Sequence, residues 1–237
     1  MDHGGRTVLK ILTQTSGCLL CVKPRGVSSE AGEGGMPELI AQALGISPER
    51  VFPVHRLDRE TGGVMVYALT KPAAAALSAG IAEGKLQKEY LAVTEGLPET
   101  PSGQWKDLLY WDRTKRKSYP VGRLRKGVKE AELSFEVIGR TEQNALLRIT
   151  PRTGRTHQIR VQCASRGLPL WGDGRYGGKE KQGFGLWCCS IAFPDPNGNG
   201  LIRAQADPPE ESPWSLFFPI ESQRQDVRET AKHNSIE

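Results

Sequence analysis

An α+β fold built on a mixed, largely antiparallel sheet flanked by helices is what this 237-residue sequence predicts. Three observations carry the prediction: strand-like stretches outnumber helical ones, no βαβ unit recurs, and neither a linker nor a repeat of fixed period divides the chain. The length suffices for one sizeable core. A single domain is expected over residues 1–220, followed by a polar stretch at 221–237 that reads as a frayed tail.

Residues 7–12 and 18–23 read as a pair of short strands, and 26–35 as a glycine and serine-rich loop ahead of a short helix at 37–44. The run GVMVYAL at 63–69 is a buried strand. Thr70, Lys71 and Pro72 then give a helix start, with alanine-rich sequence to about Glu83. Residues 86–95, 131–138 and 145–151 alternate and are rich in β-formers, each bounded by polar or glycine turns. Thr156 is placed to cap a helix running to Arg166 and stopping at Gly167.

Hydrophobic residues make up 38% and charged residues 25% of the chain, the mix of a globular protein. No apolar run approaches the ~20 residues that span a bilayer, and residues 1–6 resemble neither a signal nor a transit peptide, so no membrane partner and a cytoplasmic location are expected. The five cysteines are odd in number and include the neighbours Cys188 and Cys189, which suits reduced thiols better than a disulfide framework. Cys18 and Cys21 form a C-x-x-C inside an apolar run without a second ligand pair. Core packing is the expected role and no metal site is expected.

The net charge of +5 is unevenly spread. Between Trp105 and Lys129 nine basic residues (Lys106, Arg113, Lys115, Arg116, Lys117, Arg123, Arg125, Lys126, Lys129) face two acids, so this segment carries +7 and the remainder is slightly acidic. It falls on a predicted hairpin. Its interleaved Trp105, Tyr110, Trp111 and Tyr119 either stack on bases while the cations contact phosphates, or pack inward beneath a solvated charged face.

Three polar clusters lie at the edges of predicted elements, where a rigid scaffold presents side chains. In Val54-His55-Arg56-Leu57-Asp58-Arg59-Glu60-Thr61-Gly62 the aspartate is hemmed by cations that favour its ionised form, which suits a nucleophile or base, or equally a surface turn of local ion pairs. In Lys88-Glu89-Tyr90 the lysine and tyrosine share one strand face, as core or as site. In Thr153-Gly154-Arg155-Thr156-His157-Gln158-Ile159-Arg160 the last arginine is set among apolar residues and needs an anionic partner, for which Asp58 is the natural candidate; a structural pair and a catalytic one stay equally open.

Taken together, VHRLDRETGG, KEY, TGRTHQIRV and the later Gly172-Asp173-Gly174-Arg175-Tyr176-Gly177 occur in the order and approximate spacing of the RluA-type pseudouridine synthases, which modify ribosomal and transfer RNA. Val22-Lys23-Pro24-Arg25-Gly26 resembles that family's N-terminal K-P-x-G turn, and the resemblance runs from about residue 19 to 193. It implies a single catalytic domain with a central cleft. By similarity Asp58 matches the catalytic aspartate, Tyr90 the active-site tyrosine and Arg160 the basic residue that pairs with the aspartate. Arg56 matches the arginine that helps extrude the target nucleotide, and His55, Arg155 and His157 are expected beside it in substrate binding. RNA binding is expected of Lys106, Arg113, Lys115, Arg116, Lys117, Arg123, Arg125 and Lys126. Neither metal nor organic cofactor is implied, and a monomer is expected.

The sequence also departs from the family. Many members carry a small N-terminal RNA-binding domain resembling a ribosomal protein, and Asp58 lies too near the start to leave room for it, so recognition is expected to rest on the catalytic domain. Leu186-Trp187-Cys188 stands where L-H-A is usual, and Asp195 where a histidine often precedes proline. Two other classes fit parts of the sequence: an RNA-binding protein on this fold without turnover, and a carboxylate-dependent hydrolase, for which Glu60 is the only nearby second acid.

Overall fold

The computed structural model describes residues 9–198 and 200–218. The expected tail at 221–237, the outer ends of the expected domain at 1–8 and 219–220, and the start of the strand expected at 7–12 lie outside the described residues.

Eleven strands make one mixed sheet among the described residues. They are β1 Ile11–Gln14, β2 Cys18–Lys23, β3 Phe52–Pro53, β4 Gly62–Ala68, β5 Gln87–Glu95, β6 Ser102–Asp112, β7 Lys117–Val121, β8 Val128–Arg140, β9 Asn144–Pro151, β10 Leu186–Pro194 and β11 Leu201–Gln205. The order is β1-β2-β4-β10-β5-β9-β8-β6-β7, with β3 paired to β4 and β11 to β10. Every pair of these strands is antiparallel except β4 with β10. Among the described residues three α-helices, α1 Met36–Leu44, α2 Lys71–Ala82 and α3 Gln158–Ala164, complete the α+β architecture.

The centre of the sheet is its driest part. Every residue of β4 is buried, and β10 is buried at seven of its nine positions. A strand covered on both faces needs no alternation, which is why LWCCSIAF gave no period-two signal in the sequence. Gly62 and Gly63 are required where β4 meets β10. The Trp187 indole fills the place of a Gly62 side chain, and Gly63, at φ 122°, backs directly onto the Cys188 main chain. The departure at Trp187 and the TGG of the first motif thus belong to one contact. Trp187 also donates its Nε1–H to the Ala206 carbonyl at 2.8 Å. Cys18 and Cys21 are fully buried on β2.

α2 starts as expected: the Thr70 hydroxyl accepts from the Ala73 N–H at 3.3 Å, with proline in the first turn. α3 does not. Thr156 is no cap, because its carbonyl accepts the Ser118 hydroxyl at 2.6 Å and His157 follows in the left-handed conformation at φ 55°. The Gln158 side chain closes the turn instead, accepting from the Arg155 N–H at 3.0 Å and the Thr153 hydroxyl at 2.7 Å. The helix ends at Ala164, and the turn beyond it closes at Gly167, φ 72°. Val161 of α3 packs with Leu109, Ala131 and Tyr176, which seats the helix on β6 and β8.

Candidate active site

The loop carrying Asp58 is stitched down on two sides. The Lys23 ammonium is fully buried and donates to the carbonyls of Pro24, Val27 and Arg59 at 2.9, 2.7 and 3.0 Å. Burial lowers its pKa to about 8 while Glu60 and Asp58 oppose the shift, so it still carries its charge at neutral pH. Ser29 exchanges hydrogen bonds with both backbone groups of Leu57, at 2.6 and 3.0 Å, and the Leu57 side chain is buried. On the other side the Val66 N–H donates to His55 Nε2 at 3.1 Å, and burial pushes the His55 pKa well down, so this ring is neutral. His55 therefore braces the loop against β4. It lines neither of the cavities described below, unlike the substrate-binding place expected for it.

Arg160 reaches Asp58 from α3. Its Nη1 donates to Asp58 Oδ2 at 3.1 Å. The sequence reading placed one carboxylate here, and the structure adds a second: Nε and Nη2 both donate to Asp173, each at 2.7 Å, in a bidentate pair whose carboxylate is fully buried. Asp173 fixes the plane of the guanidinium and leaves one edge for Asp58. Desolvation alone would lower the Arg160 pKa, but Asp173 and Asp58 more than reverse it, so the charge is permanent.

His157 Nε2 lies 3.8 Å from Asp58 Oδ2. Burial lowers the His157 pKa to about 4, against Asp58 and with Arg160 and Arg175, so the ring is neutral at pH 7. The Tyr176 hydroxyl accepts from the Ser118 N–H at 2.7 Å and sits 3.0 Å from His157 Nδ1. Its own hydrogen is then free for Nδ1, an assignment that leaves the ring proton on Nε2, facing Asp58. Among the described residues Asp58 Oδ1 has no hydrogen-bond partner, so one carboxylate oxygen is pinned and the other is open.

Asp58 lines a cavity of about 110 Å³ whose wall also includes Thr61, Lys88, Tyr90, Arg155 and Arg160. That is several times the ~10–15 Å³ one water needs. Tyr90 is buried, and burial, with Cys188 and Asp58 nearby, raises its pKa well above the usual tyrosine value. It is a phenol at neutral pH, which suits a stacking surface or a donor better than a base. Burial lowers the Lys88 pKa. Among the described residues the Thr61 hydroxyl is buried with no hydrogen-bond partner.

A wider groove of about 660 Å³ opens outward from the same Asp58, Arg160 and His157, lined by Arg56, Trp111, Arg113, Arg116 and Arg175. Arg56 stands at the mouth, common to both spaces, its exposed side chain paired with Glu30 at 3.4 Å. Arg155 anchors through Nε to the Glu130 carbonyl at 2.8 Å.

The basic hairpin divides. Arg113 and Arg116 line the groove, and Arg175, which sequence reasoning left out of the site, holds the hairpin tip by donating to the Arg116 carbonyl at 3.0 Å. Lys115 and Lys117 lie over the Tyr119 ring, and Arg125 over Tyr110. Lys106 pairs with Glu132 at 3.5 Å, away from the groove, while Arg123 and Lys126 are exposed on the β7–β8 loop. Of the aromatic residues, Trp111 faces the groove and meets His157 edge to face, whereas Trp105 packs on Phe135 and beneath Arg166. Among the described residues no cluster of three or more His, Cys, Asp or Glu is placed to hold a metal ion, and no helix is long and apolar enough to cross a membrane.

Comparison with known proteins places this geometry. The family model described as RNA pseudouridylate synthase matches residues 17–165. The chain is 33% identical over 179 residues to the ribosomal large subunit pseudouridine synthase C of Buchnera aphidicola subsp. Acyrthosiphon pisum, covering 75% of this chain and 57% of that protein. It is 36% identical over 182 residues to an uncharacterized RNA pseudouridine synthase of Bacillus subtilis, covering 73% and 59%. The chain thus spans somewhat more than half the length of these relatives. The solved structure of human RNA pseudouridylate synthase domain containing 1 superposes with a TM-score of 0.76 at 21% identity, over 91% of this chain and 89% of that one, a likeness of fold.

Proposed function

Because this chain belongs to the RNA pseudouridylate synthase family, we propose that it isomerises uridine to pseudouridine in structured RNA, with residues 1–220 as one catalytic unit. The observation that carries this reading is the Asp58 carboxylate, held through Oδ2 by Arg160 on the wall of a cavity that Tyr90 also lines. The isomerisation breaks the bond from ribose C1′ to uracil N1, turns the base and rejoins it through C5, with no atom gained or lost. Such a pocket must keep a detached base from water, supply an anion at the ribose and take up the C5 proton. Asp58 supplies the anion, whether it attacks sugar or base or removes a ribose proton. Tyr90 offers its ring to the uracil. None of these steps calls on a metal or organic cofactor.

A paired or stacked uridine has to be turned out to reach the cavity, at a cost of a few kcal/mol. Arg56, at the shared mouth, fills the vacated place, and Arg155 and His157 line the way in. Ribosomal RNA is the favoured substrate, since that is what the named relative acts on by its name. The test is conversion itself: the purified chain with unmodified ribosomal RNA transcripts is expected to yield pseudouridine, by nucleoside analysis, with a chelator present. No conversion of ribosomal or transfer RNA would overturn the reading.

The groove supports a narrower phosphate track than the whole hairpin, through Arg113, Arg116 and Arg175. Reversing charge at Arg113, Arg116 and Arg175 together is expected to weaken RNA binding and flatten its dependence on salt by about three phosphate contacts. The same change at Lys106, Arg123 and Lys126 is expected to do less. Equal effects in a filter-binding salt series would place the RNA across the whole hairpin.

A further inference from the structure

Charges around the cavity do not cancel once the family machinery is set aside. Arg160 is saturated by two carboxylates, Arg56 is paired with Glu30, Arg155 is tied to a carbonyl and His157 is neutral. Lys88 is different. It is half-buried on the cavity wall, two residues from Tyr90 on the same face of β5, and among the described residues its ammonium has neither a hydrogen-bond partner nor a carboxylate. Holding a long cationic side chain in a partly desolvated wall without a partner costs free energy, and such a cost persists where a ligand supplies the missing acceptor.

We propose that Lys88 is a catalytic residue of this site, donating from its ammonium to a carbonyl oxygen of the uracil as the base leaves the ribose. The inference rests on the pseudouridine synthase reading and deepens it. When C1′–N1 breaks by departure of the base, the bonding electron pair stays with the uracil, which becomes a monoanion with its charge shared over O2, N3 and O4. The ribose makes up the loss by bonding to Asp58 or by giving a 2′-proton to it. Asp58 gives up its charge in that step and Asp173 balances Arg160, so the charge left over is the uracil's own, and Lys88 stands on the cavity wall to offset it. Lys88 keeps its proton throughout and acts where charge develops. When the uracil rejoins through C5 the charge is discharged and the contact relaxes.

The test compares two leaving groups. Fluorine at C5 withdraws electrons and stabilises the uracil anion without the enzyme's help. Lys88→Met keeps the length of the side chain and removes its charge. In single-turnover reactions it is expected to slow uridine conversion on the order of 10²-fold, with RNA affinity held within a few-fold. Consumption of N1-linked 5-fluorouridine in the same RNA is expected to slow by roughly 10-fold or less. Equal slowing of both substrates, or a uridine rate within about threefold of the unsubstituted protein, would overturn the assignment. If Lys88→Met does not fold, Lys88→Gln is read by the same two outcomes. The unsubstituted protein serves as the control for the underlying function: its failure to convert uridine would sink both readings, whereas its conversion with equal slowing in the variant would sink this one alone.

Discussion

Asp58→Asn is expected to abolish pseudouridine formation, a loss of roughly 10⁴-fold or more in single-turnover rate. The substitution is close to isosteric, and the asparagine carbonyl can still accept the Arg160 Nη1–H that Asp58 Oδ2 accepts at 3.1 Å. The loop around it keeps its other ties, through Lys23, Ser29 and His55. What disappears is the charge and the nucleophilicity of the open oxygen, on which every version of the chemistry draws. RNA affinity is expected to stay within a few-fold, because the groove cations are untouched and one nearby negative charge has been removed. Nucleoside analysis of the RNA and filter binding at one salt concentration separate the two quantities. A variant retaining a tenth of the original rate would take Asp58 out of its role.

The strands around the site were legible where a period showed. Residues 86–95, 131–138 and 145–151 stand close to β5, β8 and β9, and Thr70 caps α2, because one-sided burial and cap chemistry leave marks in the sequence. β10 left none, since both its faces are covered. Thr156 reads as a cap by sequence because a hydroxyl before an apolar run looks the same whether its carbonyl joins the helix or is taken, as here, by Ser118 from another strand. At the site the pairing of Asp58 with Arg160 was readable from two motifs. Asp173 was not, although it lies in a quoted motif, because nothing local distinguishes an aspartate in a glycine turn from one buried beneath an arginine thirteen residues back. By sequence the His55 ring is expected beside Arg56 in substrate binding. Its hydrogen bond to β4, eleven residues on, gives it a bracing role that the sequence does not mark.

That second carboxylate changes what Arg160→Ala should do. With Asp58 as the sole partner the substitution would strand a carboxylate that is 18% exposed and can find water. With Asp173 it strands one whose side chain is 0% exposed. Breaking a buried pair from one side costs about 3–5 kcal/mol, a large part of the ~5–15 kcal/mol that holds a domain folded. Arg160→Ala is therefore expected to lose activity with Asp58→Asn, and unlike it to lose stability as well, read as a fall in the midpoint of urea unfolding. Removing both ends separates the two effects. In Arg160→Met with Asp173→Asn no buried charge is left unpaired, so most of the stability should return. Activity should not, because nothing then orients Asp58. A double variant that regained turnover would show that the guanidinium serves the fold alone, and a stable Arg160→Ala would show that Asp173 finds another partner.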